Sequence, residues 1–203
     1  MDMHNFIRDA NELIKNNGNS DLTAGEKNTI AAFVINNERM NQNARYLEVG
    51  IWGGGTIHYL LGLTTSTRFT GIDLFEDFVP SEKNTHESGT YLMKDVQSLL
   101  GKRATLIKGH SPTVLSQLTD KYEHIFIDGD HSYEGLMNDL NAAKRLLTPS
   151  GQISFHNCST HIWPDFSYVQ RDGGPWRVAQ ELKASNEWRL LAELERVCVF
   201  AKR

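Results

Sequence analysis

From Arg45 onward the chain alternates short apolar runs with longer amphipathic ones, and this rhythm constrains the fold more than any other feature. Residues 46–50, 69–73, 104–108, 124–128 and 152–156 have the length and apolar content of buried strands. Residues 56–63, 91–100, 112–118 and 133–147 carry their apolar side chains at helical spacing. Strands that take turns with helices predict a parallel sheet with right-handed crossovers and helices on both faces. After a helix over 176–184 the rhythm breaks. Residues 188–194 and 196–201 predict two strands joined by a tight turn near Glu195, which puts an antiparallel C-terminal strand into the sheet.

The first 41 residues are predicted helical. Phe6, Ala10, Leu13 and Ile14 fall on one side of a helix that Gly18 stops. A second helix follows Thr23, with Glu26 three residues later as in a capping box and Ile30, Phe33 and Val34 as its apolar side. These helices are expected to cover a face or an edge of the sheet. A chain of 203 residues suffices for one filled core and is short for two, so we expect a single domain: a helical cover over 1–41 and an α/β core over 45–203.

Neither charge sign forms a long block, and the net charge is −4, so the basic stripe expected of a nucleic-acid binder is absent. No apolar run approaches the ~20 residues needed to cross a bilayer, and the N-terminus lacks the apolar stretch of a secretory signal. The expectation is a cytoplasmic protein with no membrane partner. Two cysteines, Cys158 and Cys198, lack metal-type spacing.

Ligands of open α/β sheets bind beyond the carboxyl ends of the strands. The first strand leads into Glu48-Val-Gly50-Ile-Trp52-Gly-Gly54-Gly-Thr56, and the second ends in Asp73. The third is followed by Gly109-His110-Ser111, the fourth ends in Asp128-Gly-Asp130-His131, and the fifth ends in His156-Asn157. A glycine-rich turn lets a ligand approach the backbone at a positively polarised helix start. Asp73 is placed to accept hydrogen bonds from ribose hydroxyls, so the pair indicates an adenosine-containing cofactor. In the dinucleotide fingerprint, the second glycine admits the pyrophosphate to the backbone, and here that position is Trp52. Glu48 would repel phosphates and suits a cationic ligand. The turn therefore favours S-adenosyl-L-methionine over NAD.

Glu48-x-Gly50-x-x-x-Gly54, Asp73 and the run Phe126-Ile-Asp-Gly-Asp-His-Ser-Tyr133 resemble the class I S-adenosylmethionine-dependent methyltransferases. Within them the chain is similar to the small-molecule O-methyltransferases of the catechol, macrocin and cephalosporin-pathway type. The resemblance covers residues 46–157 and implies a Rossmann-like, seven-stranded, mostly parallel sheet whose last strand is antiparallel. It implies that the turn from Gly50 to Thr56 holds the methionine moiety, Asp73 the ribose, and His110 and Ser111 the adenine. It also implies a metal-dependent branch in which Asp128, His156 and Asn157 would be the ligand positions. His156 stands where that branch usually has a carboxylate.

A hydroxyl acceptor must lose its proton as it attacks the methyl group, through a general base or a metal. His131, three residues past Asp128, is the candidate base, with a structural role for the ring as the alternative. Asp128, His156 and Asn157, with Asp130 or His131 as extra ligands, form a poor set for Mg²⁺ and a better one for Mn²⁺ or Fe²⁺. Two long connections, 74–89 with Phe75, Phe78 and His86 and 158–175 with His161, Trp163, Phe166 and Tyr168, are candidate lids over a small-molecule acceptor. Their aromatics equally suit a homodimer contact. The rival functions are an NAD-dependent oxidoreductase, a non-catalytic binding protein on the same fold, and a methyltransferase acting on a macromolecule.

Overall fold

The structure, a computed structural model, describes residues 20–77, 91–158 and 173–203. The helix expected over Phe6 to Ile14 and the aromatic residues Phe78, His86, His161, Trp163, Phe166 and Tyr168 lie outside the described residues.

The described chain runs α1 (Ala24–Met40), β1 (Arg45–Val49), α2 (Gly55–Leu63), β2 (Arg68–Asp73), α3 (Met93–Leu100), β3 (Ala104–Lys108) and α4 (Ser111–Gln117). It continues through β4 (Tyr122–Ile127), α5 (Tyr133–Ala143), β5 (Leu147–Phe155), α6 (Gly174–Ala184), β6 (Trp188–Leu194) and β7 (Val197–Lys202). The seven strands form one sheet in the order β3-β2-β1-β4-β5-β7-β6. All pairs from β3 to β5 are parallel, whereas β7 is antiparallel to both β5 and β6. This is the mostly parallel seven-stranded sheet expected from the sequence, with β7 as the one reversed strand.

Alternation along the strands divides the core between the two faces. Leu47, Ile125, Ile127, Ile153, Phe155, Cys198 and Phe200 pack with Leu115 of α4, Leu136 and Leu140 of α5 and Val178 and Leu182 of α6. Tyr46, Phe69, Phe126, Val197 and Val199 face the other way, onto Ile30 and Val34 of α1, Ile57 and Leu60 of α2 and Val96 and Leu100 of α3. The N-terminal cover expected from the sequence is therefore α1 on this second face. Its capping box is present: Thr23 accepts from the Glu26 backbone N–H, and Glu26 accepts from the Thr23 N–H at 2.8 Å.

Two boundaries differ from the sequence expectation. The helix after Ser132 ends at Ala143 and tightens into a 3₁₀ turn over Lys144–Leu146, which buries Leu146. Strand β5 starts at Leu147, five residues before the expected onset: Leu147 pairs with Tyr122, and the pairing resumes only at Gln152 opposite His124. The residues between, Thr148-Pro149-Ser150-Gly151, carry turn composition, which hides the strand's first half.

Candidate active site

The carboxyl ends of β1, β2, β4 and β5 meet at one edge of the sheet. Gly50 leaves β1 with φ +80°, and a Cβ there would lie 2.4 Å from the Asp128 carbonyl oxygen, so the glycine is demanded by both backbone and neighbour. Trp52 also has positive φ and keeps its ring partly exposed, edge-on to Tyr91. Gly54, at φ +78°, is the N-cap of α2, and a Cβ there would press on Val96 of α3. Its conservation of space thus serves helix packing as well as the turn.

Asp73 organises the turn. Its Oδ2 accepts from the backbone N–H groups of Ile51 and Trp52, both at 2.8 Å, and its Oδ1 accepts from the Phe75 N–H at 2.9 Å. Thr56 is buried at the start of α2. Across the sheet edge, exposed His110 is the N-cap of α4 and Ser111 its first residue.

Glu48, the acid expected to suit a cationic ligand, is buried in β1. Tyr46 donates its hydroxyl proton to Oε2 at 2.7 Å, and burial, reinforced by Asp128 and Asp73, pushes its pKa well above the usual carboxylate range.

At the end of β4, Asp128 Oδ1 lies 3.1 Å from His131 Nε2 and 3.0 Å from His156 Nδ1. The carboxylate only accepts, so both ring nitrogens donate to it. His131 is half-exposed, its backbone carbonyl accepts from the Gly174 N–H at the start of α6, and its Nδ1 lies 3.4 Å from Asn157 Nδ2. Asn157 has φ +57°, which turns its amide toward His131. His156 is buried on the α1 face, and its Nε2 lies 3.5 Å from Glu26 Oε2, at ion-pair distance without hydrogen-bond geometry. Burial disfavours its charge, but the Asp128 and Glu26 carboxylates prevail and raise its pKa to about 9. Asp128 is held well below its usual range: burial opposes, and the charge of His156 and the hydrogen bonds from both histidines outweigh it.

The Asp128, His131 and His156 ligand atoms converge within 4.8 Å of one another. One carboxylate and two imidazoles are a poor set for Mg²⁺, which seeks oxygen, and a better one for Mn²⁺ or Fe²⁺. Asn157, expected as a further ligand, has its amide nitrogen 3.4 Å from His131 Nδ1.

Sequence reasoning missed Glu26 and Arg196. Glu26 is fully buried and accepts from Arg196 Nε at 2.8 Å and Nη2 at 3.0 Å, besides facing His156.

The stretch 47–158, which spans this strand-end edge from β1 to the exit of β5, matches the family described as methyltransferase domain. The chain belongs to the methyltransferase-domain family. Over 121 residues this chain is 26% identical to the uncharacterized protein R132 of Acanthamoeba polyphaga mimivirus, covering 58% of this chain and 53% of that protein. It therefore spans about half the length of that curated relative. Among solved structures it superposes on a putative caffeoyl-CoA O-methyltransferase from Staphylococcus aureus with TM-score 0.65 and 14% identity, covering 100% and 93% of the two chains. The SAH-bound methyltransferase PaMTH1 of Podospora anserina gives TM-score 0.61 and 15% identity over 97% and 87%. MycE of the mycinamycin biosynthetic pathway, in complex with Mg and SAH, gives 0.66 and 17% over 96% and 54%. Among the described residues, no helix is long and apolar enough to cross a membrane.

Proposed function

We propose that this methyltransferase moves the methyl group of S-adenosylmethionine to a hydroxyl oxygen of a small-molecule acceptor, with His131 as general base. The observation that carries the proposal is the juxtaposition, at one sheet edge, of the Asp73-braced turn over Gly50–Thr56 with the Asp128–His131 pair. When bound, the cofactor supplies an electrophilic methyl on a sulfonium. The residues for it are the turn from Gly50 through Trp52 and Gly54, Asp73 for the ribose, and His110 and Ser111 beside the adenine. Trp52, at the position where a pyrophosphate would need bare backbone, supports this cofactor over NAD.

The C–S bond breaks, a C–O bond forms, and sulfur keeps the electron pair, leaving S-adenosylhomocysteine. The hydroxyl proton goes to His131 Nδ1, the nitrogen not engaged by Asp128, displacing the weak contact from Asn157. Asp128 fixes the tautomer and balances the imidazolium that forms. No step is assigned to a metal. Such a displacement asks the protein chiefly for alignment and charge balance.

The test has two arms. Calorimetry should show binding of S-adenosylhomocysteine and none of NAD; the reverse would remove the cofactor assignment. Incubation of pooled metabolites with methyl-labelled S-adenosylmethionine, read by mass spectrometry, should then yield a labelled O-methyl product. A protein that binds the cofactor and labels nothing across such pools would be a binding protein instead.

A further inference from the structure

Helix α6 starts without a side-chain cap of its own. Its N-cap is Gly173, which has no side chain to accept from the free N–H groups of the first turn, and Pro175 at the second helical position has no N–H to satisfy. The first helical residue, Gly174, instead donates its N–H to the backbone carbonyl of His131 at 3.2 Å. The helix thus takes an acceptor from the connection between β4 and α5, the one that carries the histidine.

The approach leaves room for glycine alone. A Cβ on Gly174 would lie 2.3 Å from both the Ser132 carbonyl carbon and the Tyr133 nitrogen. Its backbone is helical, a conformation alanine adopts at least as readily, so glycine is required here by the neighbour and not by its own dihedrals. At the other end of the same peptide unit, the Ser132 N–H donates to Asp130 Oδ1 at 2.8 Å. Both polar groups of the peptide joining His131 to Ser132 are therefore held, and Ser132 goes on to cap α5 by accepting from the Gly135 N–H.

The His131 ring depends on that support. It is half-exposed and meets Asp128 through a single nitrogen, so its aim follows from where its backbone is fixed. Farther along α6, the Arg177 guanidinium lies 3.9 Å over the Tyr133 ring, and the Tyr133 hydroxyl donates to Glu181. Those contacts dock the helix; of the three, the one from Gly174 reaches His131 itself.

We propose that Gly174 is a positioning residue of the methyl-transfer site, pinning the His131–Ser132 peptide by a backbone contact that only glycine permits and so setting the aim of the His131 ring. This rests on the proposed role of His131 as the base.

The first measurement needs no acceptor. In the ligand-free protein, NMR should show a scalar coupling across the hydrogen bond from the Gly174 nitrogen to the His131 carbonyl carbon. Gly174→Ala should shift the ring C–H signals of His131. Arg177→Ala, which loosens α6 without touching that peptide, should lower the Tm and leave those signals in place. Absence of the coupling, or equal shifts in the two variants, would overturn the proposal.

The second measurement uses an acceptor from the labelling screen. Gly174→Ala should lower kcat by on the order of 10²-fold, the cost of misplacing a reacting group by about 1 Å, with the KM for S-adenosylmethionine unchanged. The double variant with His131→Ala should be no slower than His131→Ala alone, because Gly174 acts through that ring. Losses that multiply would mark Gly174 as packing only and sink the idea. Should Gly174→Ala fail to fold, Pro175→Gly frees the start of α6 without adding an atom to the contact. It should lose kcat with the same dependence on His131, and an unchanged kcat there overturns the proposal. If His131→Ala keeps its full kcat, the base reading fails and this proposal with it. If His131→Ala is slow while a folded Gly174→Ala is as fast as the wild type, this proposal fails alone.

Discussion

His156 Nδ1 and Asp128 Oδ1 lie 3.0 Å apart across the ends of neighbouring strands β5 and β4. Glu26 Oε2 lies 3.5 Å from the ring's other nitrogen, so the buried ring stands between two carboxylates, one buried and one partly exposed. Breaking such a group by removing one member leaves uncompensated charge in the core, which is costly.

A pH dependence of stability follows. His156 titrates near about 9 in the folded chain against an ordinary 6.5, so its contribution is complete below about 6.5 and is lost as the pH rises through about 9. Glu26 is lowered to about 2 from 4.5: burial alone would raise it, and His156 and Arg196 overcome that. Its contribution is complete above about 4.5 and is lost as the pH falls through about 2. The two shifts describe one interaction and are not added; the alkaline loss is on the order of 3 kcal/mol. Thermal melts should show His156→Gln losing its deficit relative to the wild type between about pH 6.5 and 9. A deficit that is constant across that range would mean the ring is neutral in the fold.

Asp73 braces the turn and is the residue proposed for the ribose, so its removal should be visible in two measurements. Its three backbone donors, Ile51, Trp52 and Phe75, lose their acceptor in Asp73→Ala, which should lower the Tm even without cofactor. Calorimetry should also show S-adenosylhomocysteine bound more weakly by ~1–3 kcal/mol, the scale of a lost charged hydrogen bond. Unchanged affinity in a folded variant would restrict Asp73 to bracing the turn.

The strands and their order of use were legible because buried parallel strands read as apolar runs and their ends collect the polar residues. The capping box at Thr23 was legible as well, and the further contacts of Glu26 with His156 and Arg196 were not. A glutamate at the third helical position carries the same local signature whether it only caps or also meets a buried histidine. Strand alternation could have placed His156 on the α1 face, opposite Phe155, yet nothing local shows that the first turn of α1 lies above it. The burial of Glu48 and its contact with the Tyr46 hydroxyl were likewise hidden, because both are properties of packing. The onset of β5 was masked by Pro149 and Gly151, which sit where the pairing with β4 is interrupted.

Gly50 offers a test of the turn that involves no charge. A side chain at φ +80° costs about 1–2 kcal/mol by itself, and the added Cβ would overlap the Asp128 carbonyl oxygen at 2.4 Å. That oxygen belongs to the backbone beside the Asp128–His131 pair and cannot swing away as a side chain could. Gly50→Ala should therefore lower both the Tm and the affinity for S-adenosylhomocysteine. Gly101→Ala is the control: its φ of +68° is similar and its Cβ would meet nothing within 4 Å. It should cost stability alone, and equal effects of the two substitutions on affinity would detach Gly50 from the cofactor site.

The role of His131 separates from that of the triad beneath it. Its ring is half-exposed and reaches Asp128 through Nε2, so a substitution removes the proposed base without opening the core. With an acceptor from the labelling screen, His131→Ala should lower kcat by ~10²–10⁴, the usual contribution of general base catalysis. The affinity for S-adenosylhomocysteine and the Tm should stay near the wild-type values. Asp128→Asn should reproduce much of the kinetic loss, because an amide can present its N–H to the ring and release the tautomer. It should also lower the Tm, since His156 loses its nearer carboxylate. With His131 as the base, a chelator should leave turnover unchanged in the wild type. Turnover abolished by chelation and restored by Mn²⁺, with His131→Ala keeping nearly full kcat, would transfer deprotonation from the imidazole to a metal.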